Sequence, residues 1–445
     1  MFVSKPQDGM TRRHFIEHMA AVSALSVPAS SMFTQALRAG ATDLKKRHKA
    51  CILFYMGAGP ATIDIWDLKP GQPTGGEFKP IRTSGDAEIT EHMPQMAKLM
   101  HHMAIVRSMS TREADHARGR YYMHTGYVPN PNIEYPSYGA VISHELEEQS
   151  KAMQLEIPPF ISINGGSVGP GFLGMTYSPL VVDSSGNVRN LDMNMDAGRL
   201  TQRMKMLAEL EKGFAGRSEK ELLRGSAAYD HGKVLDSTVA LMTSKQMDAF
   251  KVNSEPAKVQ ERYGITGQQG GGMGMGRANG AAFGRSCLMA RRLVEQGVPF
   301  VEIDLGGWDD HATVFNNLKN RLPVLDTGMS ALVEDLEQRG LLQDTAIVWM
   351  GDFGRTPRIN ARGGRDHWAR SWSCVVGGAG MKGGIAVGKT NVDGTSVESD
   401  PYTSQDLMAS VLKALGISLE TVFTSKNNRP MKIANSGRVI KELFS

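Results

Sequence analysis

Aspartate and histidine gather in three short stretches of this chain, and these side chains bind borderline divalent ions or move protons near neutral pH. The first stretch, Asp304-Leu305-Gly306-Gly307-Trp308-Asp309-Asp310-His311, places four oxygen or imidazole donors within eight residues. Gly351-Asp352-Phe353-Gly354-Arg355-Thr356-Pro357 is the second, and Gly364-Arg365-Asp366-His367-Trp368 the third. From them Asp309, His311 and His367 are the expected core of one divalent-ion site, with Asp64 and Asp352 as further candidate ligands. Other uses stay open. Asp309 or Asp310 can cap a following helix, and Asp352, Arg355, Arg365 and Asp366 can pair as surface salt bridges. Asp64 and Asp67, three residues apart, can reach a metal or cap a turn. Gly57-Ala58-Gly59-Pro60 lacks the spacing of a phosphate-binding loop.

Such clusters need a scaffold that brings distant loops together. Residues 49–56 are an unbroken apolar run ending in glycines, the pattern of a central, fully buried strand. Further strands are expected at 104–106, 159–163, 299–305, 345–350 and 372–376, with helices at 93–103, 138–149, 286–296, 313–339 and 404–415. This alternation predicts an α/β fold with a mostly parallel central sheet and helices on both faces. Ligands bind beyond the carboxyl ends of strands in such sheets. Asp64 and Asp67, Asp115 and His116, Asp309 to His311, and Asp352 all follow expected strands. A polar helical stretch and a Gly/Met-rich linker, at about 195–280, read as an insertion into a single domain spanning 42–445.

Composition narrows the function classes. The 445 residues are 41% hydrophobic and 22% charged, ordinary for a globular chain, and a net charge of +4 without a Lys/Arg block gives no electrostatic reason to bind nucleic acid. Cys51, Cys287 and Cys374 are too few and too far apart for a disulfide framework or a thiolate zinc site. At the N-terminus Arg12-Arg13 precede a short, weakly apolar stretch, and Ala39-Gly40-Ala41 offers small residues for cleavage. Residues 1–41 are therefore expected to be a twin-arginine signal read by that export machinery, delivering the mature protein to the periplasm or beyond. The apolar stretch is shorter than the roughly 20 residues a membrane span needs, so no stable span is expected.

Taken together, Gly59 to Pro70, Ala290 to Val298, Gly306 to His311, Gly351 to Pro357 and Gly364 to Trp368 resemble the exported domain of unknown function 1501 family, from about Lys49 onward. The resemblance implies an alkaline phosphatase or sulfatase-like fold, and with it a metal-dependent hydrolase of phosphate or, second, sulfate esters. The substrate would be a small anionic ester or a sulfated or phosphorylated polymer. Sulfatases of that superfamily place Cys or Ser four residues before an arginine, followed by four residues and Thr-Gly. Here His116 stands at the nucleophile position, Arg120 at the arginine and Thr125-Gly126 at the end. On this pattern His116 is the expected nucleophile or acid/base, Arg120 and Arg355 the contacts to the anion, and formylglycine chemistry is excluded. Asp352-Phe353 resembles the superfamily's Asp-His metal pair with its histidine lost, which reduces the centre to one metal or none. A degenerate, non-catalytic binding or accessory protein is the alternative from another class.

Overall fold

An apolar run covered on both faces is buried along its whole length, and β1 (Ala50–Met56) is so buried. A computed structural model describes residues 48–165, 167–188, a few positions between 198 and 209, 240–242, 244–266, 280–425 and 427–445. The remaining strands of the main sheet are β2 (Met103–Met109), β3 (Phe160–Ile163), β4 (Leu180–Val182), β5 (Phe300–Asp304), β6 (Thr345–Gly351), β7 (Trp372–Gly378) and β8 (Ala386–Val387). Their order across the sheet is β8-β2-β7-β6-β1-β5-β3-β4. Strand β1 pairs in parallel with β5 and β6, whereas β7 runs against both β6 and β2. The other pairs are parallel.

Alternate side chains of β1 feed two cores. Ala50, Ile52, Phe54 and Met56 join Leu288 and Leu293 of helix α3 (Gly280–Glu295) and Leu325 and Leu332 of α4 (Val314–Gln338). On the opposite face Cys51, Leu53 and Tyr55 meet Met123 of α1 (His116–Thr125), Ile142 of α2 (Tyr138–Glu145) and Leu407 of α5 (Ser404–Ala414). Each such fully buried aliphatic side chain contributes about 1.5–3 kcal/mol. The α/β class with helices on both faces is thus the observed architecture, and Lys49–Ser445 forms one compact unit.

Element boundaries differ from expectation where local pattern is weak. The helix expected at 93–103 shrinks to Pro94–Ala97 and a 3₁₀ turn at Met100–His102, because β2 already begins at Met103. Edge strands β4 and β8 have three and two residues, too short to show a period. The proposed signal segment, and most of the insertion, lie outside the described residues. Among described residues no helix is long and apolar enough to cross a membrane.

One rim of the sheet collects the polar clusters. Chain leaves this rim after β1, β2, β5 and β6, while β7, running the other way, begins there. The residues just before β7 therefore arrive at the same rim. His367 lies in that segment, paired as a two-residue strand with Gly354–Arg355.

Candidate metal centre

Helix α1 places His116 at its first position. Asp115 caps it, its side chain accepting from the Arg118 backbone N–H, and Gly126 ends it in the left-handed region at φ 73°. The helix can lie close to the loop after β6 because Gly119 has no Cβ; one there would sit 3.0 Å from the Phe353 ring and 3.2 Å from Asp352. A similar approach joins the loops carrying His311 and His367. A Cβ on Gly364 would fall 2.1 Å from the His311 carbonyl carbon.

Three imidazoles meet at one carboxylate oxygen. Oδ1 of Asp309 lies 2.9 Å from Nε2 of His311, 3.3 Å from Nε2 of His116 and 3.3 Å from Nε2 of His367. The Nε2 atoms of His311 and His367 are 3.2 Å apart. Ligand atoms of His116, Asp309 and His367 fall within 4.8 Å of one another. In each ring the other nitrogen is already engaged. Nδ1 of His116 is 2.8 Å from Oδ2 of Asp352, Nδ1 of His311 is 2.7 Å from Oδ1 of Asp366, and Nδ1 of His367 is 2.7 Å from the Ala114 carbonyl. Carbonyls and ionised carboxylates only accept, so each Nδ1 carries a proton and each Nε2 is turned inward.

With the rings neutral, the centre of the cluster is a set of acceptors facing acceptors. One donor reaches it: Arg355 Nη2 donates to Asp309 Oδ1 at 2.6 Å. Burial alone would raise the Asp309 carboxyl; the Arg355 hydrogen bond and charge, with His311 and His116, outweigh it and hold the group at about 2. Added protons or one divalent cation would satisfy what remains. The spacing of His116, Asp309 and His367 fits the cation, since ligands on bonds of 2.0–2.1 Å in a tetrahedron lie roughly 3.3 Å from each other, and Nε2 of His311 adjoins Asp309 and His367 at 2.9 and 3.2 Å. Carboxylate or carbonyl partners on the far nitrogens are the usual supports of metal-bound histidines.

Several sequence expectations are redistributed. Asp64 is fully buried and gives both oxygens to Arg365, at 2.7 Å each, so it is a structural ion-pair partner and not among the converging groups. Asp352 is buried and spends one oxygen on His116 and the other on the Tyr55 hydroxyl, which places it behind a histidine. Arg355 is buried and donates to the Gly59 and Ala58 carbonyls as well as to Asp309, leaving it positioned to hold Asp309 and not to clamp an anion. Arg120 pairs with Asp304 at 2.6 Å and lies 4.6 Å over the Tyr55 ring, with 28% of its side chain exposed. Asp310, buried, accepts from the Arg321 and Asn317 side chains of α4; it does not cap that helix, whose N-cap is Thr313 without a side-chain cap bond. His116 stands among the converging groups, and its shielded Nε2 makes no hydrogen bond of acceptable geometry.

In sequence Tyr55 counts as one more apolar residue of a buried run; its hydroxyl, near the end of that run, is the feature that marks it. Its burial pushes its pKa well up, helped by Asp352, so it stays a donor. The three thiols offer no substitute nucleophile, all being buried with their pKa values raised by that burial.

A search of the curated proteins found no match. Solved structures similar in fold include a sulfatase from Pseudoalteromonas sp., 12% identical with a TM-score of 0.38, covering 88% of this chain and 72% of that one. A protein in the alkaline phosphatase superfamily from Vibrio parahaemolyticus is 10% identical, with a TM-score of 0.37 over 90% of this chain and 70% of its own. The alkaline phosphatase of the Antarctic bacterium TAB5 is 14% identical, with a TM-score of 0.34 over 83% of this chain and 99% of its own. In sequence, the family model described as a protein of unknown function, DUF1501, matches residues 48–444, and the chain belongs to that family.

Proposed function

We propose that this protein is an exported, metal-dependent hydrolase of anionic esters, phosphate before sulfate, with His116, His311, His367 and Asp309 holding one divalent ion. The observation that carries this is the convergence of three Nε2 atoms on one carboxylate oxygen, each ring fixed from behind by an acceptor. Three imidazoles and a carboxylate suit zinc; manganese is second, and calcium, which takes oxygen ligands, fits poorly. When bound, such an ion supplies Lewis acidity towards an ester oxygen and makes water more acidic.

The chain's own residues supply the rest. Asp352, Asp366 and the Ala114 carbonyl keep the imidazole protons on Nδ1, Arg355 holds Asp309 in place, and the half-exposed rim admits substrate. Arg120 is the guanidinium with exposure left to meet an ester anion, its charge balanced by Asp304 until then. Small phosphate esters, or a phosphorylated or sulfated polymer, are the substrate classes. Delivery by the twin-arginine machinery to the periplasm or outside rests on Arg12-Arg13 and the small residues at 39–41.

Elemental analysis of the purified protein, with hydrolysis assayed on a panel of phosphate and sulfate esters, tests the proposal. The expected result is about one ion at this cluster, with activity lost in His116→Ala and His367→Ala. Metal-free protein with unchanged activity in both variants would end it. A second reading, a binding or accessory protein without catalysis, is favoured by one observation: no serine, threonine or cysteine side chain hydrogen-bonds to the cluster among the described residues. Bound metal with no hydrolysis anywhere on the panel is the outcome that selects it.

A further inference from the structure

We infer that His101, His102 and Glu337 form a second divalent-cation site of the zinc class, at the rim of the sheet opposite the His116 cluster. One ligand atom from each of the three lies within 4.8 Å of the other two. Nε2 of His102 is shielded from solvent and 3.0 Å from Oε1 of Glu337, yet it makes no hydrogen bond of acceptable geometry. The two imidazole rings lie side by side, their centroids 3.9 Å apart. Ser84 occupies the far side of His101. Its hydroxyl oxygen accepts from the His101 backbone N–H at 2.9 Å and lies 2.9 Å from Nδ1, so the ring is fixed from behind and Nε2 is left for a ligand.

The place of these residues separates this site from the first. His101 and His102 immediately precede β2, whereas His116 follows it. Glu337 lies at the end of α4, a 25-residue helix whose ends are roughly 35 Å apart and whose start abuts the loop at Gly363. Two imidazoles and one carboxylate are a donor set that zinc takes with water completing the coordination. An ion here ties the end of α4 to the start of β2 and so joins a helix to the sheet it covers. The role is to fasten the fold, at a distance from any reaction at the first cluster.

The test uses the full-length protein, stripped with chelator and titrated with Zn²⁺ against a chromogenic competitor. Unmodified protein is expected to take up about two equivalents. His101→Ala and Glu337→Gln should each weaken one of them about 100-fold or more, the upper end of what even an outer-shell loss costs. His116→Ala should spare that equivalent, and in this variant Zn²⁺ should still raise Tm, an effect that Glu337→Gln abolishes. Glu337→Gln keeps the side chain's shape, so the test survives a folding failure of His101→Ala. Zn²⁺ stoichiometry and affinity within about 2-fold of the unmodified protein in both variants would overturn the site. Failure of the His116 cluster to bind metal would show separately, as an unchanged titration in His116→Ala.

Discussion

Two regions of this molecule are equally crowded with charge and are wired in opposite ways. Between α3 and α4, Arg291 meets Asp335 at 3.1 Å, Glu255 at 2.8 Å and Glu295 at 2.5 Å, and Asp335 also takes Arg262 and Arg339, each at 2.9 Å. Every carboxylate there faces a guanidinium, and the Tyr263 hydroxyl donates to Asp335. At the rim, by contrast, three imidazole Nε2 atoms face one carboxylate with a single arginine among them. In the first region opposite charges are matched, although Nε and Nη2 of Arg291 and Nε of Arg262 make no hydrogen bond of acceptable geometry; at the rim the acceptors outnumber the one guanidinium. Charge density alone therefore does not mark a functional site; a surplus of oriented acceptors does, because a folded chain leaves such a surplus where something else supplies the positive charge.

The largest effect should come from breaking the charge-matched network. Asp335→Ala leaves Arg291 buried without one of its partners and is expected to cost about 3–5 kcal/mol in chemical denaturation while leaving metal content unchanged. A cost below about 1 kcal/mol would mean that the network is slack and the contrast misplaced. Next, His311→Ala should weaken Zn²⁺ binding at the rim about 100-fold, yet move the stability of the stripped protein by less than about 1 kcal/mol, because its Nε2 satisfies no donor other than a long contact to Arg355. Competitive titration and urea unfolding read the two quantities separately.

Smaller still is the loss from behind the ligands. Tyr55→Phe removes the hydroxyl that fixes Asp352, and Zn²⁺ affinity should fall about 10-fold, the lower end of an outer-shell effect. Unchanged affinity would show that Asp352 holds His116 without help. The smallest effect is on acid stability. Asp309 is depressed to about 2 from the ordinary aspartate value near 3.9, so in stripped protein it contributes stability that is present above about pH 4 and lost as pH falls towards 2. With 44% of this side chain exposed, screening reduces the contribution to about 0.5 kcal/mol. Arg355→Ala should flatten that acid slope, measured as unfolding free energy between those two pH values.

The sequence by itself determined the class of fold and the neighbourhood of the site. Apolar runs such as 49–56 and the helical period of 313–339 are local consequences of covering a strand on two faces or a helix on one. The rule that parallel strands deliver their following loops to one edge groups Asp64, Asp67, Asp115, His116, Asp309 to His311 and Asp352 from sequence alone. Nothing local distinguished the roles of those residues. Asp64 and Asp309 are both aspartates in loops after strands; only packing gave the first one buried arginine across both its oxygens and the second three imidazoles. Likewise, the sequence could place His367 near a strand, but the reversed direction of β7 decided that the residue before it reaches the same rim. Pairing depends on distances between residues hundreds of positions apart. That information resides in the register of the sheet and the close approaches at Gly119 and Gly364, which no window of sequence contains.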